Sequence, residues 1–145
     1  MSIFERLLFI AYYGPARRPL RWFLRKWMAG HRRIPFGRLR GCQLLNQRLD
    51  CRLGIYELHV QDVLTQHVKK KDVVYDVGAN FGFHTLLASR LVGNQGQVIA
   101  FEPLPENLKA MEQFLSLNDC SNGGNTCSRK ESASKKRGFG PVLLR

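Results

Sequence analysis

Two hydrophobic patterns alternate between residues 72 and 118, and each pattern predicts one kind of element. Runs of β-branched and aromatic residues at Val73–Val77 and Gln97–Glu102 are typical of buried strands. Each run is followed by apolar residues at helical spacing, which predicts a helix after each strand. The apolar positions of these two predicted helices are Phe83, Leu86, Leu87 and Leu91, then Leu108, Met111, Phe114 and Leu115. The pattern predicts an α/β fold.

The turn between the first strand and its helix has the composition of a ligand site. It reads Asp76-Val77-Gly78-Ala79-Asn80-Phe81-Gly82. Glycines let a ligand approach the main chain, and the following helix begins with free N–H groups. An open α/β sheet binds its ligand at the carboxyl ends of its strands, where Asp76 lies. The dinucleotide motif lacks its middle glycine here, and the acid would attract a cationic ligand rather than a pyrophosphate.

A second acid, Glu102, ends the next predicted strand, 102 − 76 = 26 positions after Asp76. An acid about 20 residues beyond a glycine turn is placed to accept hydrogen bonds from ribose hydroxyls. Pro105 suits the first turn of the helix that follows, where its missing N–H costs nothing.

These motifs resemble the class I S-adenosylmethionine-dependent methyltransferases, and the FkbM family in particular. The resemblance rests on D-x-G-A-N-x-G with the following Phe-His-Thr, and on F-E-P-L-P-E-N. It implies a Rossmann-like fold that is incomplete here, comprising the first βαβα portion and an N-terminal helical extension. It also implies S-adenosylmethionine as cosubstrate and methyl transfer, typically to an oxygen of a small-molecule or glycan acceptor. The implied cosubstrate-binding residues are Asp76, Gly78, Ala79, Asn80, Gly82, Thr85 and Glu102.

Individual roles follow from the resemblance. Gly78, Ala79 and Asn80 would present backbone and amide groups to the methionine end of the cosubstrate, and Glu102 would hold its ribose. Thr85 would either bind the carboxylate end or donate back to a helix carbonyl. We interpret His84 as a packing or pocket-wall residue. No catalytic base is implied.

The N-terminal third is basic. The chain has a formal net charge of +12, and the charge is concentrated before Asp50 and after Cys120. Apolar residues of Arg17–Met28 fall on one helical face and arginines largely on the other, a pattern that fits either an anchor on an anionic membrane or a helix packed on the methyltransferase sheet. Nucleic acid is the less favoured partner. The apolar cluster before Gly14 is too short to span a bilayer.

We predict loops or short strands from Ala29 to Arg52 and a helix from Tyr56 to Val68, in which Tyr56, Val60, Val63, Leu64 and His67 recur at helical spacing. The four cysteines have no zinc-ligand spacing, so we expect reduced thiols and no metal site. The predicted domains are a basic extension at 1–53, a partial FkbM-type domain at 54–119, and a disordered, non-family tail at 120–145.

The abrupt change of composition after Asp119 predicts a truncated and inactive methyltransferase. A basic protein that associates with membrane or RNA without catalysis is the alternative, and a nicotinamide-dependent oxidoreductase is disfavoured by the missing glycine. We expect a cytoplasmic protein, with peripheral membrane attachment if the basic helix is an anchor.

Overall fold

A computed structural model describes residues 3–15, 17–43, 48–120 and 142–144. The chain forms two compact units, Met1–Val63 and Leu64–Arg145. Most of the predicted 120–145 tail, and Cys127 within it, lie outside the described residues. The boundaries predicted at 53/54 and 119/120 stay predictions.

The first unit is helical. It contains α1 (Ile3–Tyr13), α2 (Arg17–Met28), α3 (Leu49–Leu53) and the start of α4 (Leu58–His67). Its core brings one side of each helix together, and the buried members are Tyr12, Leu24, Met28, Leu49, Leu53, Ile55 and Leu58. Helix α2 has the predicted bounds.

The predicted apolar face of α2 is divided in the structure. Leu24 and Met28 are buried and Leu20 packs against them, whereas Phe23 is 61% exposed. Spacing of four residues places Leu20, Leu24 and Met28 on one narrow stripe, which is the part that the unit's core covers. The wider face drawn from the sequence therefore includes residues that the core leaves in solvent.

Two predictions between Ala29 and Val68 need correction. The segment predicted as loop or short strands contains an isolated antiparallel bridge from Arg33 to Gln43, but it ends in helix α3. Helix α4 buries Leu58 and Gln61, and leaves Val63 exposed. Gln61 is buried because its side-chain amide donates to the carbonyls of Gly54 and Tyr56, a polar role that apolar periodicity does not detect.

A buried carboxylate joins three parts of the first unit. Asp50, at the start of α3, is 1% exposed and accepts hydrogen bonds from the Tyr13 hydroxyl at 2.7 Å and from Arg48 Nη2 at 2.7 Å. It also accepts from the main-chain N–H of Cys51. Burial by itself raises the pKa of Asp50, but the bonds from Tyr13 and Arg48 outweigh it and hold the pKa below its ordinary value.

The neighbouring Cys51 is a packing residue. Its side chain is fully buried beside Asp50, and burial together with that negative charge raises the pKa of the thiol. Cys51, Cys42 and Cys120 form no disulfide among the described residues. A protonated, buried thiol is a poor nucleophile.

The second unit contains the predicted strand–helix repeat. It comprises β1 (Val73–Val77), α5 (Phe83–Val92), β2 (Gln97–Phe101) and α6 (Pro105–Leu117). Strands β1 and β2 are parallel, with Val73 opposite Gln97 and Val77 opposite Phe101. A further strand, β3 (Val142–Leu144), pairs antiparallel with β2. The unit is mixed α/β, as predicted, although a complete Rossmann fold is not shown.

Strand β1 is less buried than its composition predicts. Val73, Tyr75 and Val77 are 55%, 63% and 81% exposed, while the residues between them are half-buried. Within the described sheet β1 is an edge strand, because the strand order is β1-β2-β3. The prediction of a buried strand is therefore wrong for one face of β1, since no described element covers that face.

The helices in the described ranges also bear on membrane topology. Not one of them is both long enough and apolar enough to cross a bilayer.

We expect Asp50→Asn to lower the free energy of unfolding by about 1.5–3 kcal/mol, since it replaces a charged hydrogen-bond acceptor by a neutral one. Urea denaturation at neutral pH would measure this loss. Because folding depresses the pKa of Asp50, its contribution is present above the unfolded-state pKa and is lost as the pH falls through the folded-state value. The difference between wild type and variant should therefore shrink below about pH 4.

Tyr13→Phe removes one of the donors to Asp50 and leaves the carboxylate in place, so it should cost less than Asp50→Asn. A pH-independent difference between wild type and Asp50→Asn would contradict the role assigned to the carboxylate.

Candidate functional site

The glycine turn is closed by main-chain hydrogen bonds to the end of β2. The N–H groups of Gly78 and Ala79 both donate to the Phe101 carbonyl, at 2.9 and 3.1 Å, and the N–H of Gly82 donates to the Ala79 carbonyl at 2.9 Å. Gly78, Asn80 and Gly82 all have positive φ, at 83°, 53° and 84°. Glycine and asparagine tolerate this conformation best, which explains their places in the motif.

Glu102 connects the tip of β2 to the same turn. Its Oε2 accepts a 2.7 Å hydrogen bond from the Asn80 N–H. Its Oε1 accepts from the Leu104 N–H at 2.9 Å and from the Asn107 side-chain amide at 3.3 Å. The carboxylate thus joins the glycine turn to the start of α6, and it brings the two sequence motifs to one edge of the sheet.

Asp76 and Thr85 form a second pair beside the turn. The Thr85 hydroxyl donates to Asp76 Oδ2 at 2.6 Å and lies 3.6 Å from the sulfur of Met111. Thr85 is fully buried, whereas Asp76 is half-buried. The hydroxyl therefore donates to Asp76 rather than to a helix carbonyl, and it holds the Asp76 carboxylate in one orientation.

The two motif glycines serve different purposes. A Cβ at Gly82 would lie 2.5 Å from Cγ of Met111, which is fully buried in α6. A Cβ at Gly78 would meet nothing within 4 Å. Gly82 therefore permits close packing of the turn against α6, and of the two only Gly78 leaves open space where a ligand can approach. The binding roles expected of both glycines stay predictions.

The main-chain donors of the turn also differ from expectation. The N–H groups of Gly78, Ala79 and Asn80 are directed at Phe101 and Glu102, so in this structure they are not offered to a ligand. The side chain of Asn80, by contrast, is exposed. The N–H groups point toward β2 because the positive φ values turn the main chain back toward that strand.

Three groups in the site were not identified from the sequence as site components. They are the Phe101 carbonyl, the Asn107 amide and the Met111 side chain. Asn107 stands in the second motif, five residues after Glu102, so the motif itself was the available signal. A main-chain carbonyl and a methionine packed on a glycine carry no such signal.

Metal binding and histidine chemistry find little support in the described part of the site. The described residues contain no group of three or more His, Cys, Asp or Glu side chains able to hold a metal ion. His84 is half-buried on α5 with its ring edge-on to Phe83, which suits a packing residue.

The fold and the site together define an α/β unit that presents acidic side chains and an open glycine at the carboxyl ends of two parallel strands. Such an edge binds small ligands in α/β proteins.

Part of the chain also matches a known family model. Residues 76–139 match the model of the methyltransferase FkbM domain, which confirms the resemblance drawn from the two motifs. The match begins at Asp76 and runs past Asp119, where the domain was predicted to end. No curated protein and no solved structure matches the chain.

We expect Gly82→Ala to destabilise the second unit more than Gly78→Ala. Both variants place a side chain at positive φ, at a cost of about 1–2 kcal/mol. Gly82→Ala adds overpacking against Met111, which costs about 1–3 kcal/mol more. Denaturant unfolding followed by circular dichroism would measure the difference.

Met111→Ala in the Gly82→Ala background makes space for the new methyl group. The part of the destabilisation that comes from overpacking against Met111 should then shrink. Equal losses of unfolding free energy in Gly78→Ala and Gly82→Ala would show that contact with Met111 is unimportant.

Proposed function

We propose that this chain binds S-adenosylmethionine at the edge formed by β1 and β2, and that the associated chemistry is methyl transfer to an oxygen nucleophile. The family match supports methyl transfer in general. The observation that carries the proposal is the Asn80–Glu102 hydrogen bond, because it brings both motifs of the resemblance together.

The residues at this edge fit such a cosubstrate in charge and in space. S-adenosylmethionine carries ammonium and sulfonium centres, and the edge offers the carboxylates of Asp76 and Glu102. Gly78 leaves the surface of the turn open, and the exposed Asn80 amide can both donate and accept hydrogen bonds.

Glu102 would bind the ribose, with one restriction. A carboxylate has about four acceptor positions, and three donors of the chain already occupy Glu102. One position is left for a ribose hydroxyl. Accepting from both hydroxyls requires release of one internal donor, and the 3.3 Å bond from Asn107 is the longest of the three.

Asp76 would attract the cationic end of the cosubstrate. Thr85 acts on it as a positioning residue, since its hydroxyl fixes the carboxylate from the buried side. A carboxylate held in place loses little freedom when it binds, which favours affinity.

When bound, S-adenosylmethionine supplies an electrophilic methyl group. The protein's contribution to a direct displacement is to position the reacting groups and to exclude water. The described turn and its two carboxylates supply the positioning of the cosubstrate end.

Asp76→Ala and Glu102→Ala should each weaken binding of S-adenosylmethionine by about tenfold or more, because each removes a charged hydrogen-bond acceptor. Isothermal titration calorimetry on the 145-residue chain would measure the affinities. Glu112→Ala is the matched control, since it removes an exposed acid from α6 and should leave binding unchanged.

NAD provides the control for ligand class. Affinities that are the same in wild type, Asp76→Ala and Glu102→Ala would contradict the proposed site, and binding of NAD in preference to S-adenosylmethionine would favour an oxidoreductase.

We further propose that the 145-residue chain binds the cosubstrate without turning it over. The support is the exposed apolar face of β1, at Val73, Tyr75 and Val77. Methyl transfer needs a water-excluding site, and this strand ends at the glycine turn with that face open to solvent.

Incubation with labelled S-adenosylmethionine and a panel of glycans and hydroxylated small molecules should yield no more S-adenosylhomocysteine from wild type than from Glu102→Ala. Product formation by wild type above that background would disprove the proposed inactivity and leave the binding site supported.

A further inference from the structure

The first unit exposes large apolar side chains along α1. Ile3, Phe4 and Leu7 are 79%, 56% and 59% exposed. Residues three and four apart lie on the same side of a helix, so these side chains form one stripe. Single exposed apolar residues are ordinary, whereas a contiguous stripe marks an interaction surface.

Aromatic contacts extend this stripe to α2. The ring of Phe4 lies 5.2 Å from that of Phe36, and Phe36 stacks on Trp27 at 6.0 Å. Phe23 lies one turn before Trp27 on α2 and is 61% exposed. We call the row Phe4, Phe36, Trp27 and Phe23 the aromatic ridge. It links the exposed apolar residues of both helices through Phe36, which is half-buried and also packs against the core of the unit.

The charges on these helices are almost all positive. Within residues 3–28, Arg6, Arg17, Arg18, Arg21, Arg25 and Lys26 are opposed by Glu5 alone, so the net charge is 6 − 1 = +5. Glu5 is half-buried and accepts a hydrogen bond from the Gly37 N–H, which directs it into the unit. Lys26 lies 4.2 Å above the ring of Trp22, beside the ridge.

We propose that the first unit docks on an anionic phospholipid surface, with the aromatic ridge and the α1 stripe in the interface and the arginines on lipid headgroups. Helices of 11 and 12 residues are about 18 Å long or less, so they can lie in the interface but not cross a core of about 30 Å. Basic helices with Trp, Phe and Leu on the apolar side bind membranes in this way.

The chemistry of the surface favours lipid over nucleic acid. Aromatic rings and arginines would suit either partner, but the aliphatic side chains of Ile3 and Leu7 gain little from phosphates or base edges. Acyl chains offer them an apolar environment. The proposal is independent of cosubstrate binding, because it concerns only residues of the first unit.

The chain contains its own probe for this interaction. Both of its tryptophans, Trp22 and Trp27, lie in α2, and no other region contributes tryptophan fluorescence. Phosphatidylserine–phosphatidylcholine vesicles should shift the emission to shorter wavelength, and brominated lipids should quench it. Pure phosphatidylcholine should have a much smaller effect, and added salt should weaken binding through screening. In Trp22→Phe, the remaining signal comes from the ridge itself.

Two pairs of variants separate apolar insertion from charge. Phe23→Ser should weaken partitioning about tenfold, whereas Val63→Ser, an exposed apolar residue of α4 outside the ridge, should not change it. Arg18→Gln with Arg25→Gln should weaken binding to the anionic vesicles by roughly fivefold per charge. Lys70→Gln with Lys109→Gln removes the same charge from the second unit and is the control.

Vesicle sedimentation and circular dichroism complete the test, the latter showing that each variant is folded. The proposal is overturned if folded wild-type protein fails to bind the anionic vesicles, if Phe23→Ser and Val63→Ser bind equally, or if single-stranded RNA shifts the tryptophan emission while the vesicles do not.

Discussion

The hydrogen bond from the Asn80 main chain to Glu102 is the contact on which the candidate site depends. A parallel β1–β2 pair brings their carboxyl ends to one edge, but the loops beyond those ends need a further connection. Glu102 provides it, and the Phe101 carbonyl reinforces it by accepting from the N–H groups of Gly78 and Ala79. Because Glu102 also accepts from Leu104 and Asn107, the start of α6 is joined to the same point. The site is therefore held together by a residue that is also proposed to bind the ligand.

The sequence predicted helix α2 of the first unit and strand β1 of the second unit well because their signals are local. Helix α2 and strand β1 have their predicted bounds, since a helical stripe and a β-branched run are visible within a dozen residues. The family resemblance was visible for the same reason, in two short motifs that the domain match confirms. The burial of β1 was not predictable in this way, because burial depends on elements distant in the sequence.

The predictions that differ from the structure share a physical cause. Each depends on a contact with a residue distant in the sequence, which a local pattern does not reveal. Gly82 was predicted to make room for a ligand, but the space it leaves is filled by Met111, 29 positions later. The N–H groups of Gly78 and Ala79 were expected to face a ligand, but positive φ at Gly78 turns them toward β2. Helix α3 was missed because five residues around a buried Asp50 do not form an apolar pattern. The cosubstrate-binding roles of the motif residues stay predictions.

The main-chain bonding of the turn has a consequence for how this region tolerates mutation. Its acceptor at residue 101 is a carbonyl and its donors at 78 and 79 are amides, so exchange of the Phe101 or Ala79 side chain leaves those hydrogen bonds intact. Proline at 79 or 80 is different, because it removes the donor itself and requires negative φ. The substitutions that the turn accepts are thus limited mainly by its main-chain hydrogen bonds and φ values. Side-chain identity should vary most at Ala79 and Phe101, whose main-chain groups make these hydrogen bonds without positive φ.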